Sequence, residues 1–308
     1  MKDPILVLTG PTATGKTAIS LALAKKVGAE IISADSRQIY HELNIGTAKP
    51  TLSERLGIPH HFIDELPLGT PFSAGRFAEE AKKRAAVIRS NGRRPLIVGG
   101  STLYIHALIS GLAPIPAIDP SIRAALNTRL LHEGATVLFD ELCMVDPAYA
   151  DTLDVTKTQR IIRGLEVFQA TAHPLSSFHR RTASAETTFD LVVLHRPREI
   201  LYHRINERVD QMLAAGLLDE VRQLLANRVD TDTNALRTIG YQEPIAYLKQ
   251  EITYNEMVRL IKRNTRRYAK RQLTWFRRYP QARWLDLDET SDQTTGIADI
   301  LNRTMESG

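Results

Sequence analysis

The chain has one cysteine, Cys143, among its 308 residues. Intrachain disulfides are therefore impossible, and the thiolates of a zinc cluster are missing. No apolar run approaches the roughly 20 residues that span a bilayer, so no membrane partner is expected. With a strand expected to start near Ile5, no signal peptide is expected ahead of it. These absences point to a reducing, cytoplasmic setting. Internal repeats and low-complexity segments are also lacking. Acidic residues are absent from residues 257–285, where Arg259, Lys262, Arg263, Arg266, Arg267, Lys270, Arg271, Arg277, Arg278 and Arg283 are interleaved with Tyr268, Trp275, Phe276, Tyr279 and Trp284. A solvated helix face usually mixes both charge signs. Basic and aromatic residues without acids suit phosphate contact with base stacking. The competing reading is a helix with buried aromatics and merely solvated arginines. A net charge of +5 adds weakly to the polyanion reading.

The strongest motif lies near the start. Gly10, Pro11, Thr12, Ala13, Thr14, Gly15, Lys16 and Thr17 form a complete G-x-x-x-x-G-K-[ST] phosphate loop. Residues 5–8 read as the strand before it and residues 18–26 as the helix after it. In that setting the loop amides and the helix N-terminus face a diphosphate or triphosphate. Lys16 is placed to bind phosphate oxygens and the Thr17 hydroxyl to ligate Mg²⁺.

Residues 30–34 and 94–98 read as further strands, separated by helices such as residues 73–90. Residues 190–194 read as a later strand. This alternation predicts an α/β fold: a P-loop NTPase-like parallel sheet flanked by helices. Ala113-Pro-Ile-Pro116 marks a break, after which Asp119 and Pro120 suit a helix start. Residues 116–189 read as an inserted helical subdomain, leaving 1–115 and 190–308 as the core. Long helices are expected over 198–226 and 253–279.

Ligands of parallel sheets bind beyond the carboxyl ends of the strands. The phosphate loop, Asp35 and Ser101 all occupy that position. Asp35 has three readings: a Mg²⁺ acid, a general base, or a cap for the next turn. Later strands end in Gly99-Gly100-Ser101 and His195-Arg196, without the acid of a standard ATPase. Ser101 is placed either to orient a nucleophile or to make a tight turn before a helix over 102–109. Thr156 is expected to cap a helix over 157–170, with Arg160 and Arg163 opposite its apolar side. His60 and His61 read as structural histidines, and the pair Asp219-Glu220 as surface.

The ordered blocks of the chain resemble those of the bacterial tRNA dimethylallyltransferases, or tRNA isopentenyltransferases. Beyond the phosphate loop, SADSRQIYHELNIGTAKP at 33–50 is similar to the family's S-A-D-S-x-Q block. His60-His61-Phe-Ile-Asp64, Gly99-Gly100-Ser101-Thr-Leu-Tyr104, Gln159-Arg160-Ile-Ile-Arg163-Gly-Leu-Glu166, Ile239-Gly240-Tyr241-Gln-Glu243 and Tyr268-Ala-Lys-Arg-Gln-Leu-Thr-Trp275-Phe-Arg277 follow in order. Ser101 stands where the family usually has Thr, and Gly164 where it usually has Ala. The resemblance implies transfer of a dimethylallyl group from dimethylallyl diphosphate to the exocyclic amine of the adenosine 3′ of the anticodon. It implies Asp35 as base, Ser101 as its helper, and Arg208 with the loop on the diphosphate. It further implies contacts to the anticodon stem-loop from Asp35, Ser36, Arg37, Gln38, Ser101, Arg123, Gln159, Arg160, Ile161, Ile162, Arg163, Gly240, Tyr241, Gln242, Glu243, Arg271, Trp275 and Arg277. A monomer is expected. Two other readings use the same loop: an ATP-dependent small-molecule kinase of adenylate-kinase type, and a nucleotide-gated RNA-binding protein without transfer chemistry.

Overall fold

Alternating apolar residues of the short strands face opposite sides of one sheet, and helices cover both. The computed structural model describes residues 4–178, 188–227, 229, 231 and 233–287. Along the described chain run β1 (Ile5–Thr9), α1 (Lys16–Val27), β2 (Ala29–Ser33), β3 (His60–His61), α2 (Ala74–Ser90), β4 (Arg94–Gly99) and α3 (Thr102–Ser110). Then come α4 (Pro120–Glu133), α5 (Ala135–Val145), α6 (Pro147–Ala150) and α7 (Thr158–Thr171). The chain continues through β5 (Phe189–His195), α8 (Arg198–Ala214), α9 (Leu217–Ala226), α10 (Gln242–Leu248), α11 (Tyr254–Phe276) and β6 (Arg283–Asp286).

The strands pair in parallel in the order β3-β2-β4-β1-β5-β6. This is the helix-flanked parallel sheet that the sequence predicts. Val7, Ile32, Ile97 and Val193 pack on one face, with Phe77 and Ala81 of α2 and Ile105 of α3 in the same core. Leu8, Ile31, Leu96 and Val192 pack on the other, with Ile19 and Leu23 of α1. Strands buried on both sides carry nearly continuous apolar runs, which is why these four were legible. The edge strands β3 and β6 were not expected. Each is short, without the continuous apolar run of the central strands, and is held by pairing to one neighbour.

Other elements differ from expectation for local reasons. The helix expected over 198–226 is two helices, because Gly216 adopts φ 99° between α8 and α9. Thr156 does not cap α7; its hydroxyl bonds Asp154, and Lys157 occupies the cap without a side-chain bond. Thr253 does cap α11, accepting from the Glu256 amide.

The chain divides into two compact units, Met1–Ile109 with Ala185–Gly308, and Ser110–Ser184. The first carries the sheet. The second is helical around Leu126, Leu138, Leu142, Ile161, Ile162 and Leu165. Inside it, buried Glu166 accepts from Arg123 through Nε (2.9 Å) and Nη2 (3.0 Å) and from Arg163 Nη1 (2.7 Å). A methyl group at Gly164 would stand 2.6 Å from Leu142 Cδ1, so the close approach of α5 to α7 accounts for glycine there.

Candidate active site

The phosphate loop is wound by backbone at Gly10 (φ 144°), Ala13 (φ 65°) and Gly15 (φ 103°). Left-handed residues between right-handed ones turn successive amides to one side, forming an anion-binding concavity. Ala13 carries a side chain in that region, a strained conformation that its surroundings must enforce. The Thr14 hydroxyl donates to Pro11 O (2.8 Å). Arg204 Nε holds Ala13 O (2.9 Å), and Arg196 Nε holds Thr14 O (3.0 Å). Neither arginine was singled out from the sequence, because both act from α8 and its approach.

Lys16 Nζ donates to Gly10 O (2.9 Å) and Pro11 O (2.7 Å). Burial, then the nearby charge of Arg208, push its pKa from 10.5 down to about 7, while Asp35 pulls the other way. Burial lowers the Arg208 pKa as well, with Arg204 adding to the fall and Asp35 opposing it. Two half-buried cations therefore share the field of Asp35.

Two cavities meet at this carboxylate. The larger, about 640 Å³, is lined by Lys16, Thr17, Arg204, Glu207, Gly100 and Gln272 among others. The smaller, about 260 Å³, is lined by Ser36, Arg37, Ser101 and the apolar Ile205, Val209, Met212, Ile239 and Ile261. Thr12, Asp35, Thr47, Arg208 and Tyr268 border both. Asp35 Oδ1 accepts from the amides of Arg37 (2.8 Å) and Gln38 (3.3 Å), so it does cap the turn after β2. Its second oxygen has no hydrogen bond among the described residues. Ser101 opens α3, its amide bonded to Ala34 O (3.1 Å), and its hydroxyl has no partner among the described residues. The Arg37 Nε is buried without an acceptor there.

The donor set also fits a small hard cation. The Thr17 hydroxyl has no partner among the described residues and shares the larger cavity with the carboxylates of Asp35 and Glu207. No group of three His, Cys, Asp or Glu among the described residues is close enough to hold a metal. A divalent ion here would complete its shell with water and ligand phosphate, as Mg²⁺ commonly does.

The sequence-expected RNA contacts divide by burial. Gln159 and Arg160 are exposed on α7, and Gln242, Arg271 and Arg277 are exposed in the sheet-bearing unit. Trp275 is half-buried, with Arg278 stacked 4.6 Å from its ring. Ile161, Ile162, Tyr241 and Glu243 are instead core residues, between 0 and 5% exposed, which corrects their expected place at an RNA surface. The Tyr241 hydroxyl donates to Glu220 Oε1 (2.6 Å), and Glu243 accepts from the Gly240 amide (2.9 Å) and Asn264 (2.8 Å).

Glu220, read as surface, is also corrected. Its carboxylate collects the amides of Asn44 (3.1 Å), Ile45 (2.7 Å) and Gly46 (3.2 Å). A methyl group at Gly46 would stand 2.5 Å from the Tyr241 ring. The basic stretch is partly neutralised: Arg259 pairs with Glu256, Lys262 with Asp210 and Arg283 with Asp190. Among the described residues, the side chains of Arg267, Lys270 and Arg277 have no hydrogen bond or ion pair. The unpaired charge thus lies on the C-terminal half of α11 and just beyond it.

The IPP transferase family model matches residues 38–279. The chain belongs to the IPP transferase family. It is 56% identical over 305 residues to a tRNA dimethylallyltransferase of Salinibacter ruber, covering 99% of this chain and 94% of that one. The crystal structure of a tRNA isopentenylpyrophosphate transferase from Bacillus halodurans superposes with a TM-score of 0.73 at 35% identity, covering 99% and 98%. A eukaryotic dimethylallyltransferase acting on tRNA gives 0.80 at 26%, covering 97% of this chain and 78% of that one.

In this IPP transferase the depressed Lys16 pKa makes anion binding a proton-linked event. Above about pH 7 the free lysine is largely neutral, and a bound diphosphate favours its charged form. Binding of inorganic diphosphate at pH 8.5 should therefore take up about one proton more than the same binding to Lys16→Met, where only the ligand's own proton exchange remains. Calorimetry in buffers of different ionisation enthalpy reads this. Equal proton exchange by the unmodified protein and Lys16→Met would contradict the assignment.

Proposed function

We propose that this chain transfers the dimethylallyl group of dimethylallyl diphosphate to the N6 amine of the adenosine 3′ of the anticodon in tRNA. The observation that carries the reading is the position of Asp35 on the shared border of a cationic cavity and a second cavity holding the Ser101 hydroxyl. The loop amides, Lys16 and Arg208 take the diphosphate. As the allylic C–O bond breaks, negative charge builds on the leaving diphosphate, and these groups stabilise it. The adenine N6 lone pair forms the new C–N bond. The Asp35 carboxylate accepts the N6 proton, and Ser101 orients the amine. Thr17, with phosphate oxygens, would hold Mg²⁺, which adds positive charge at the leaving group.

The lack of an acid at the ends of β4 and β5 supports a loop that grips a leaving diphosphate rather than one that activates phosphoryl transfer. The adenosine must leave the anticodon-loop stack, at a cost of a few kcal/mol. Arg160, Gln159, Arg123 and Arg163 of the helical unit, and Gln242, Arg271, Trp275 and Arg277 of the other, supply contacts that offset it. Ser36, Arg37 and Gly240 surround the base from the smaller cavity, and Gln38 contacts the RNA from the larger one. The enzyme works as a cytoplasmic monomer on this reading.

Asp35→Asn keeps the cap but cannot take a proton. Its single-turnover transfer rate should fall 100-fold or more, in the range of ~10² to 10⁴ typical of acid–base catalysis, with diphosphate affinity retained. Ser101→Ala should cost less, and Ser101→Thr should be tolerated. A loss below about tenfold for Asp35→Asn would make the carboxylate a positioning group only. For the RNA surface, Arg160→Glu should raise the tRNA dissociation constant and flatten the plot of log affinity against log salt by about one unit. Affinity for inorganic diphosphate should not change. An unaltered slope would leave Arg160 on a solvated face.

A further inference from the structure

Gln272 is a neutral amide on a helix otherwise rich in charge, and it is 2% exposed. It falls on the buried face of α11 with Met257, Ile261, Ala269 and Phe276. Both ends of its amide are engaged. Oε1 accepts from the Thr12 amide of the phosphate loop (3.0 Å), and Nε2 donates to Gly100 O at the end of β4 (2.7 Å). A methyl group built on Gly100 would stand 2.6 Å from Gln272 Nε2 and 3.7 Å from Lys16 Nζ. The second glycine of Gly99-Gly100 thus leaves the space in which the amide crosses the site.

These bonds connect two segments with different tasks in the proposed transfer. Thr12 borders both cavities, and Gly100 precedes Ser101. We propose that Gln272 is a positioning residue: its amide fixes the separation between the phosphate loop at Thr12 and the β4 end at Gly100–Ser101, and with it the gap across which donor and acceptor meet. This rests on the transfer reading above. The side chain must be neutral as well as bifunctional. A carboxylate would keep the bond from Thr12, repel Gly100 O and place a negative charge near Lys16, where the diphosphate binds. An apolar side chain would fill the space and release both segments. Displacing reacting groups by about 1 Å costs up to about 100-fold in rate.

The test compares the full-length protein with Gln272→Met and Gln272→Glu, using dimethylallyl diphosphate and unmodified tRNA. Gln272→Met should lower kcat by tenfold or more, with KM for both substrates and the Kd for inorganic diphosphate within threefold of the unmodified protein. Gln272→Glu should lower kcat similarly and also weaken diphosphate binding tenfold or more. A purely structural role would instead show as lost thermal stability with kcat per folded molecule preserved. That result, or an unchanged kcat in Gln272→Met, would overturn the proposal. If Gln272→Met does not fold, Gln272→Glu decides by its kcat at saturating donor, and an unchanged value overturns the proposal. Failure of the transfer reading itself looks different, because the unmodified protein would then give no prenylated tRNA.

Discussion

Two half-buried cations in the field of a single carboxylate are the constraint around which this protein is arranged. Lys16 and Arg208 are both desolvated, and Asp35 is the negative charge that opposes the fall in their pKa values. Positive charge removed from water is costly unless an anion answers it. The strained loop at Ala13 and the arginines gripping its carbonyls hold that charge in place. On the proposed function, the diphosphate of the donor is the anion that answers this charge.

The sequence blocks that identify the family are largely pairs of segments touching in space. Gly46 lies under the Tyr241 ring, whose hydroxyl meets Glu220, and Glu220 in turn gathers the amides of residues 44–46. A side chain at Gly99 would overlap the Ala34 carbonyl next to Asp35, while Gly100 makes room for Gln272. Glycine at these positions is a packing requirement, and each close approach fixes a wall of one of the two cavities. The catalytic assignment depends on these supports as much as on Asp35 and Ser101 themselves.

How much of this was legible follows from the kind of signal each residue leaves. The phosphate loop, the four apolar strands and the convergence of Asp35 and Ser101 at strand ends all follow from local pattern. Asp35 as a cap and as a site residue looked like alternatives in sequence, yet its two oxygens allow both. Long-range partners left little trace. Glu220 sits in an amphipathic helix and looks solvated, because its amide partners lie more than 170 residues away. Tyr241 and Glu243 stand in a block that reads as RNA-facing, but burial is decided by packing that no spacing records. Gln272 did leave a clue, a polar residue within the apolar stripe of α11. The basic run overstated the free charge, since acids from other segments neutralise part of it.

On the proposed function, a loop of kinase type here holds a leaving diphosphate. The most direct measurement incubates the protein with dimethylallyl diphosphate, unmodified tRNA and γ-labelled ATP, and follows every product. Inorganic diphosphate should be released mole for mole with N6-dimethylallyladenosine in the tRNA, with all label remaining on ATP. Transfer of the labelled phosphoryl group to any acceptor, without diphosphate release from the donor, would contradict it.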